Sequence, residues 1–377
     1  MFFLLSILTA LLIAFWGHPL IPIHIKSFFL SVSLCLKDLF LLLMPFIMSI
    51  FLLTSLKKLG SNAFRFAIFF VIFIIGSNFF ATMTSYGVSQ FFLKKMHFSL
   101  VQESYHLEPT FLLSIPKMFK NEHAFLSTII FFVLGNYFFK HKRDSFIEKS
   151  NQIIKFFLEK ILSPTIPIFI FGFALKMAHE NTLALIFENY FKVLIFIISS
   201  CFFYIFIMYI VGCGAIKKTF KAVSHMCPAM LSGLTTASSA LSLPSTIMAC
   251  EKNTSSPLVR AILPLSSNIH LIGDCFSIII IALALRVSFG LPDVSFLNFF
   301  VFAIFFVLNK FAVAGVPGGG VLIMLPILEK YLGFSPDMLS LISGIYILFD
   351  PIVTMFNILG NGAFSMIFIK FFKRFEK

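Results

Sequence analysis

Four polar side chains near the carboxyl end, Asp350, Thr354, Asn357 and Asn361, stand at i, i+4, i+7 and i+11. That spacing puts them on one face of a helix. The residues between them are mostly Ile, Leu, Phe, Val and Met, so the face is a polar stripe on an apolar rod. An acid at the centre of a bilayer costs roughly 2.5–3.5 kcal/mol on insertion scales, so it turns toward a cavity or a partner. Helix-to-helix adhesion alone needs fewer polar groups than this, and none of them an acid. Three other stretches carry chemistry. From Ser232 to Thr246, eight of fifteen residues are Ser or Thr, with Pro244 among them. Residues 314–320 read Ala-Gly-Val-Pro-Gly-Gly-Gly. Residues 270–274 read His-Leu-Ile-Gly-Asp, and His270 and Asp274, at i and i+4, can share a proton if both lie on one helix.

The chain around these residues belongs in lipid. Of 377 residues, 59% are apolar, 55 are Phe, and 12% are charged. That charged share is about half the usual one, which excludes a soluble enzyme, a disordered chain and a nucleic-acid binder. The net charge of +13 reflects Lys and Arg kept in loops at the lipid surface rather than a nucleic-acid partner. Six cysteines show no CxxC spacing and read as small hydrophobes. The segment from Phe2 lacks a positive leader and a cleavage site, so it is expected to be a first span.

Apolar runs long enough to cross a bilayer are predicted at about 2–17, 27–56, 63–93, 124–139, 150–176, 189–213, 257–286 and 336–372. Alternate loops carry fourteen and six Lys or Arg, the larger set including Lys57, Arg65, Lys142, Arg143, Lys217 and Lys373. The larger set marks the cytoplasmic side, with both termini inside an integral protein of the cytoplasmic membrane. Two further stretches, 218–250 and 297–334, are apolar but broken at mid-length by the Ser/Thr-rich and Gly-rich runs. Irregular backbone at membrane depth must be buried in protein or line a cavity, so both are expected to be re-entrant hairpins. Each is followed by an apolar helix expected to break at a polar-x-x-Gly-(Asp/Asn) motif, His270–Asp274 and then Asn357–Asn361. A hairpin plus a broken helix, occurring twice, marks an internal repeat of a secondary transporter.

With these motifs in place, the chain resembles the dicarboxylate/amino acid:cation symporters, the glutamate and neutral amino acid transporter family. The likeness rests on Ala237 to Pro244 at the first hairpin tip, Gly315 to Gly320 at the second, Asp-x-x-x-Thr-Met-x-Asn-x-x-Gly from Asp350 to Gly360, and Met44-Pro45-Phe46 in the second span. It implies an all-α membrane protein of eight spans and two hairpins, with inverted repeats and elevator-type motion. It implies a homotrimer, with a scaffold part at about 1–60 and 120–185 and a transport part at about 61–93 and 186–377. Substrate would meet Ser238, Ser239, Val316, Pro317, Gly318, Asp350, Val353, Thr354 and Asn357. Three positions depart from the family. Val353 stands where an Arg binds the side-chain carboxylate of acidic substrates, and Ile272 and Asn361 stand where sodium-site carboxylates are expected.

An amino acid zwitterion needs a carboxylate for its ammonium, and Asp350 is the acid on the stripe. Its carboxylate needs donors, which backbone N–H groups at Ser239, Val316 and Gly318 and the Asn357 amide supply. With Val353 as an apolar wall, a neutral amino acid is favoured over a dicarboxylate. His270, Asp274, Asn357 and Asn361 are the ion-binding or proton-coupling candidates. Coupling is by Na+ or H+, with no cofactor and no metal beyond sodium, and the other partner is membrane lipid. Asp274 cannot refill the site lost at Ile272, since two residues turn a helix by about 200°. Proton coupling or obligate exchange is therefore expected over sodium dependence. Lys310 either snorkels to the surface or stands in for a bound cation beside Asp350 or Asn361. The competing readings are a cation-independent exchanger, a leak channel on the same fold, and a membrane-embedded hydrolase built on His270, Asp274 and a hairpin Ser. The hydrolase lacks a GxSxG-like turn or a metal motif.

Overall fold

The structure is a computed structural model. It describes residues 2–36, 39, 50, 64–93, 96, 107–112, 140–157, 160, 163–180, 182–239, 241–313 and 319–375. The elements among them are helices: α1 (Phe2–Gly17), α2 (Ile23–Leu36), α3 (Phe64–Phe92), α4 (Lys140–Phe157), α5 (Ser163–His179) and α6 (Thr182–Cys213). They continue as α7 (Ile216–Thr236), α8 (Leu243–Asn253), α9 (Val259–Ser266), α10 (Ile272–Ser288), α11 (Phe296–Asn309), α12 (Gly319–Leu332) and α13 (Pro336–Phe375).

Helix α10 is the axis. Its residues from Ile272 to Leu285 are all buried, as a helix that is apolar all round must be. Helices α3, α6, α12 and α13 pack against it, and α13 also lies along α6 and α7. A phenylalanine seam closes the far end of α13, where Phe364 and Phe368 meet Phe70 and Phe73 of α3. On the outside, Trp16, Phe80, Leu112 and Phe203 are largely exposed, as side chains facing hydrocarbon would be.

The Ser/Thr-rich run forms a helix–turn–helix, α7 packed on α8. The turn opens at Ala237, whose φ of 47° is left-handed and whose N–H caps Gly233 O at 2.9 Å. A non-glycine residue there costs about 1–2 kcal/mol. Pro244 sits in the first turn of α8, where its missing N–H removes no helical bond, so it starts a helix rather than breaking one. The second interrupted stretch is likewise two packed helices, α11 and α12. Ser295 caps α11 by accepting the Asn298 N–H at 3.3 Å. The expected tip at Val316, Pro317 and Gly318 lies outside the described residues, as do Met44-Pro45-Phe46 and the span expected at 124–139.

Three described helices are long and apolar enough to cross a membrane: Phe69–Phe92, Tyr190–Cys213 and Pro336–Phe372. One expectation needs correcting, and another falls partly outside the described residues. The run at 150–176 begins in the tail of α4, a helix of recurring charges from Lys140 to Lys149, and most of its junction with α5 lies outside the described residues. The second helix break does not occur, since α13 runs unbroken through Asn357 to Asn361. The first break is present, at residues 267–271 between α9 and α10. Its freed backbone groups have outside partners. Asn78 donates to Ile269 O at 2.7 Å and accepts from Leu271 N at 3.3 Å. Asn361 donates to His270 O at 3.2 Å. The continuous helix thus supports the broken one.

Candidate functional site

A cavity of about 350 Å³, open mouth included, lies where the first hairpin tip, the break before α10, the start of α12 and the polar face of α13 converge. Ser238, Ser239, Asn268, Asp274, Gly320 and Tyr346 line it, with Asp350, Thr354 and Asn357. The stripe predicted from spacing is therefore real as geometry: three of its four members reach one cavity, and all four are nearly buried. Thr354 Oγ1 donates to Asp350 Oδ1 at 3.4 Å. At the tip, Thr236 Oγ1 accepts from Ser238 N and Ser238 Oγ accepts from Leu241 N, both at 3.3 Å. These bonds hold the turn that brings Ser238 and Ser239 to the cavity. No described residue lining the cavity is basic.

Two glycines beside the cavity let the helices around it approach closely. At Gly273 an added Cβ would fall 2.4 Å from Val353 O and 2.9 Å from Asn357 Oδ1. At Gly320 it would fall 2.5 Å from the Tyr346 hydroxyl and 2.6 Å from Asp274 Oδ2. Close approach lets Asn357 bridge the helices twice: its Nδ2 donates to Asp274 Oδ1 at 2.9 Å, and its Oδ1 accepts from Asp274 N at 3.3 Å. The Tyr346 hydroxyl also donates to Asp274 Oδ1, at 3.0 Å. The remaining oxygen, Oδ2, faces the Lys310 ammonium at 3.1 Å.

Several sequence expectations change here. His270 and Asp274 do not share a helical face, because α10 begins at Ile272 and His270 sits in the break before it. His270 Nε2 pairs with Ser77 Oγ at 2.9 Å, and its ring packs on Phe364 with centroids 4.2 Å apart. Asn361 is turned to the backbone, bonding His270 O and, at 2.9 Å, Asn357 O, so neither residue reaches the cavity. Val353 is buried in the core outside the lining, its carbonyl against Gly273. Lys310 does not snorkel; it is fully buried beside Asp274. Sequence reasoning missed Tyr346, although it stands at i−4 from Asp350 and extends the stripe by one turn. It also missed Ser77 and Asn78, two adjacent polar residues inside the apolar run of α3.

Comparison with known proteins bears on what this cavity holds. Residues 2–371 match the profile described as the sodium:dicarboxylate symporter family. A Caenorhabditis elegans protein provisionally named as a sodium-dependent excitatory amino acid transporter is 28% identical over 148 residues, 39% of this chain. The match covers 29% of that relative, so the chain is aligned with less than a third of its length. The family is one of transporters and not of enzymes. Together with the long apolar helices, it makes this an integral membrane protein.

Proposed function

The chain belongs to the sodium:dicarboxylate symporter family, and from that premise we propose that it is a secondary active transporter carrying an amino acid or a related dicarboxylate across the cytoplasmic membrane. One observation carries the reading: Asp350, Thr354, Ser238 and Ser239 line a single cavity with no basic side chain among the described lining residues. The substrate ammonium pairs with Asp350. Its carboxylate takes backbone N–H groups near Ser239. A second carboxylate would be buried without a cation, at a cost a neutral side chain avoids. A neutral amino acid is thus preferred. The basis is that no described lining residue is basic, rather than a wall at Val353, which is not among the described lining residues.

In the whole-molecule reading, α1, α2, α4 and α5 belong to a scaffold, and α3 with α6 to α13 form a transport part that moves as a body, in a homotrimer of eight-span subunits with both termini inside. The mutual packing of α3, α6, α7, α10 and α13 supports that grouping. Coupling to Na+ or H+ is the family's usual expectation. Cation-independent exchange is the second reading, and the Lys310–Asp274 pair favours it. Counterflow in proteoliposomes tests the proposal. A carrier loaded with unlabelled alanine, serine or threonine accumulates the labelled amino acid, whereas a leak channel does not. Aspartate outcompeting these substrates by about tenfold, equivalent to about 1.4 kcal/mol, would refute the neutral preference.

A further inference from the structure

Lys310 opens the short 3-10 turn Lys310–Ala312 at the end of α11. Its side chain is 0% exposed, and its ammonium lies 3.1 Å from Asp274 Oδ2 and 4.6 Å over the Phe306 ring. The stem of a lysine is long enough to reach water from a shallow position, and here it does not. The Asp274 carboxylate is divided in two. Oδ1 takes the neutral donors Tyr346 and Asn357, while Oδ2 takes the one full positive charge. Gly320, at the start of α12, leaves open the space beside Oδ2. Both arms of the second hairpin therefore come to one carboxylate of α10.

A sodium ion needs oxygen ligands with negative charge among them. Beside Asp274 that charge is already taken by an ammonium carried on the chain itself. On the transport reading Asp350 takes the substrate ammonium, whereas Asp274 already faces the Lys310 ammonium. A sodium ion does not fit at Asp274 while Lys310 is in place.

We propose that Lys310 is a resident cation that takes at Asp274 the place of a transported sodium ion, so that the second hairpin is tied to α10 without sodium and substrate movement is sodium-independent. Its meaning for the transport cycle rests on the transport reading above; its ion-binding content does not. Replacing Lys310 by a short neutral residue strips Oδ2 of its partner and leaves an unpaired buried carboxylate, which favours entry of a small cation.

Thermal unfolding of the purified full-length chain, in sodium chloride against choline chloride at equal ionic strength, tests this without any substrate. Wild type is expected to show no sodium-specific shift. Lys310→Ser is expected to unfold earlier in choline and to regain stability in sodium, dose-dependently, as a ligand of the native state does. The double variant Lys310→Met, Asp274→Asn carries no charge at the pair and is expected to fold with no sodium response. A sodium-specific shift in wild type or in the double variant overturns the proposal. So does a Lys310→Ser protein that sodium fails to stabilise or to rescue. In proteoliposomes, wild-type counterflow should change by less than about twofold between sodium and choline, and a loss beyond about tenfold overturns it as well. Absence of counterflow with every amino acid tried would sink the transport reading and leave the ion measurement standing.

Discussion

At Asp350 the cost of holding a charge in the membrane and the proposed use of that charge, pairing with a substrate ammonium, coincide. The carboxylate lines the cavity on the same helix face as Thr354 and Asn357. An ammonium there gains a charge-assisted bond that an amide cannot match. Asp350→Asn is therefore expected to weaken amino acid binding by about ten- to a hundredfold, the equivalent of one bond to a charged group, while the protein stays folded. Isothermal titration on the purified variant checks this, and unchanged affinity would remove Asp350 from the substrate. The stripe was legible because a run of i, i+4, i+7, i+11 polar residues in an apolar segment has few other meanings. Tyr346 was not legible, because a tyrosine counts as apolar in such a pattern until its hydroxyl is seen on Asp274. The His270–Asp274 pairing was misread for a related reason. Spacing by four predicts contact only inside a helix, and the helix starts between them.

Among the elements, the two-helix form of the Ser/Thr-rich stretch was legible from its run of turn-forming residues, whereas the contrast between broken α10 and continuous α13 was not. Both carry the same polar-x-x-Gly pattern. The difference lies in partners far along the chain, since Asn78 and Asn361 take up the backbone groups freed before α10. Pattern alone cannot supply those partners. The same two helices meet at Gly273, next to Asp274 and against Asn357, both of which line the cavity. Gly273→Ala would place a methyl group 2.4 Å from the Val353 carbonyl. The helices must then part, at about 1–3 kcal/mol, and the Asn357 bridge to Asp274 loosens with them. Both thermal stability and substrate affinity are expected to fall. Gly344→Ala, also on α13, is the control. Nothing lies within 4 Å of its added Cβ, so the gain in helix propensity, about 0.5–1 kcal/mol, should stand alone. A Gly273→Ala protein as stable as Gly344→Ala would mean that the helices do not need this close approach.

For the whole molecule, orientation was read from charge and motion from grouping, and each has its own measurement. Single cysteines at Arg143 and Tyr105 should react from the cytoplasmic and the external side respectively, and labelling of both from one side would reject the topology. Motion turns on a contact no sequence pattern announced. Lys176 of α5 forms an ion pair with Asp337 in the first turn of α13, and lies 3.7 Å from Glu180 just past the end of its own helix. If α5 is scaffold and α13 moves, this tie joins a fixed part to a sliding one and must break in each cycle. Asp337 stands nine residues before Tyr346, about 13 Å along the helix, so the tie is remote from the cavity. Its carboxylate is 37% exposed, and such a pair holds no more than about 1 kcal/mol. Lys176→Met is accordingly expected to raise the transport rate by up to about fivefold, the rate equivalent of that energy, with substrate affinity unchanged. If α5 and α13 instead travel together, the pair is never broken during transport. The same variant would then lower only the unfolding temperature and leave the rate where it was. Transport rate, substrate affinity and unfolding temperature measured on one variant therefore decide whether α5 and α13 move apart, and with that whether the division into scaffold and transport parts holds at this boundary.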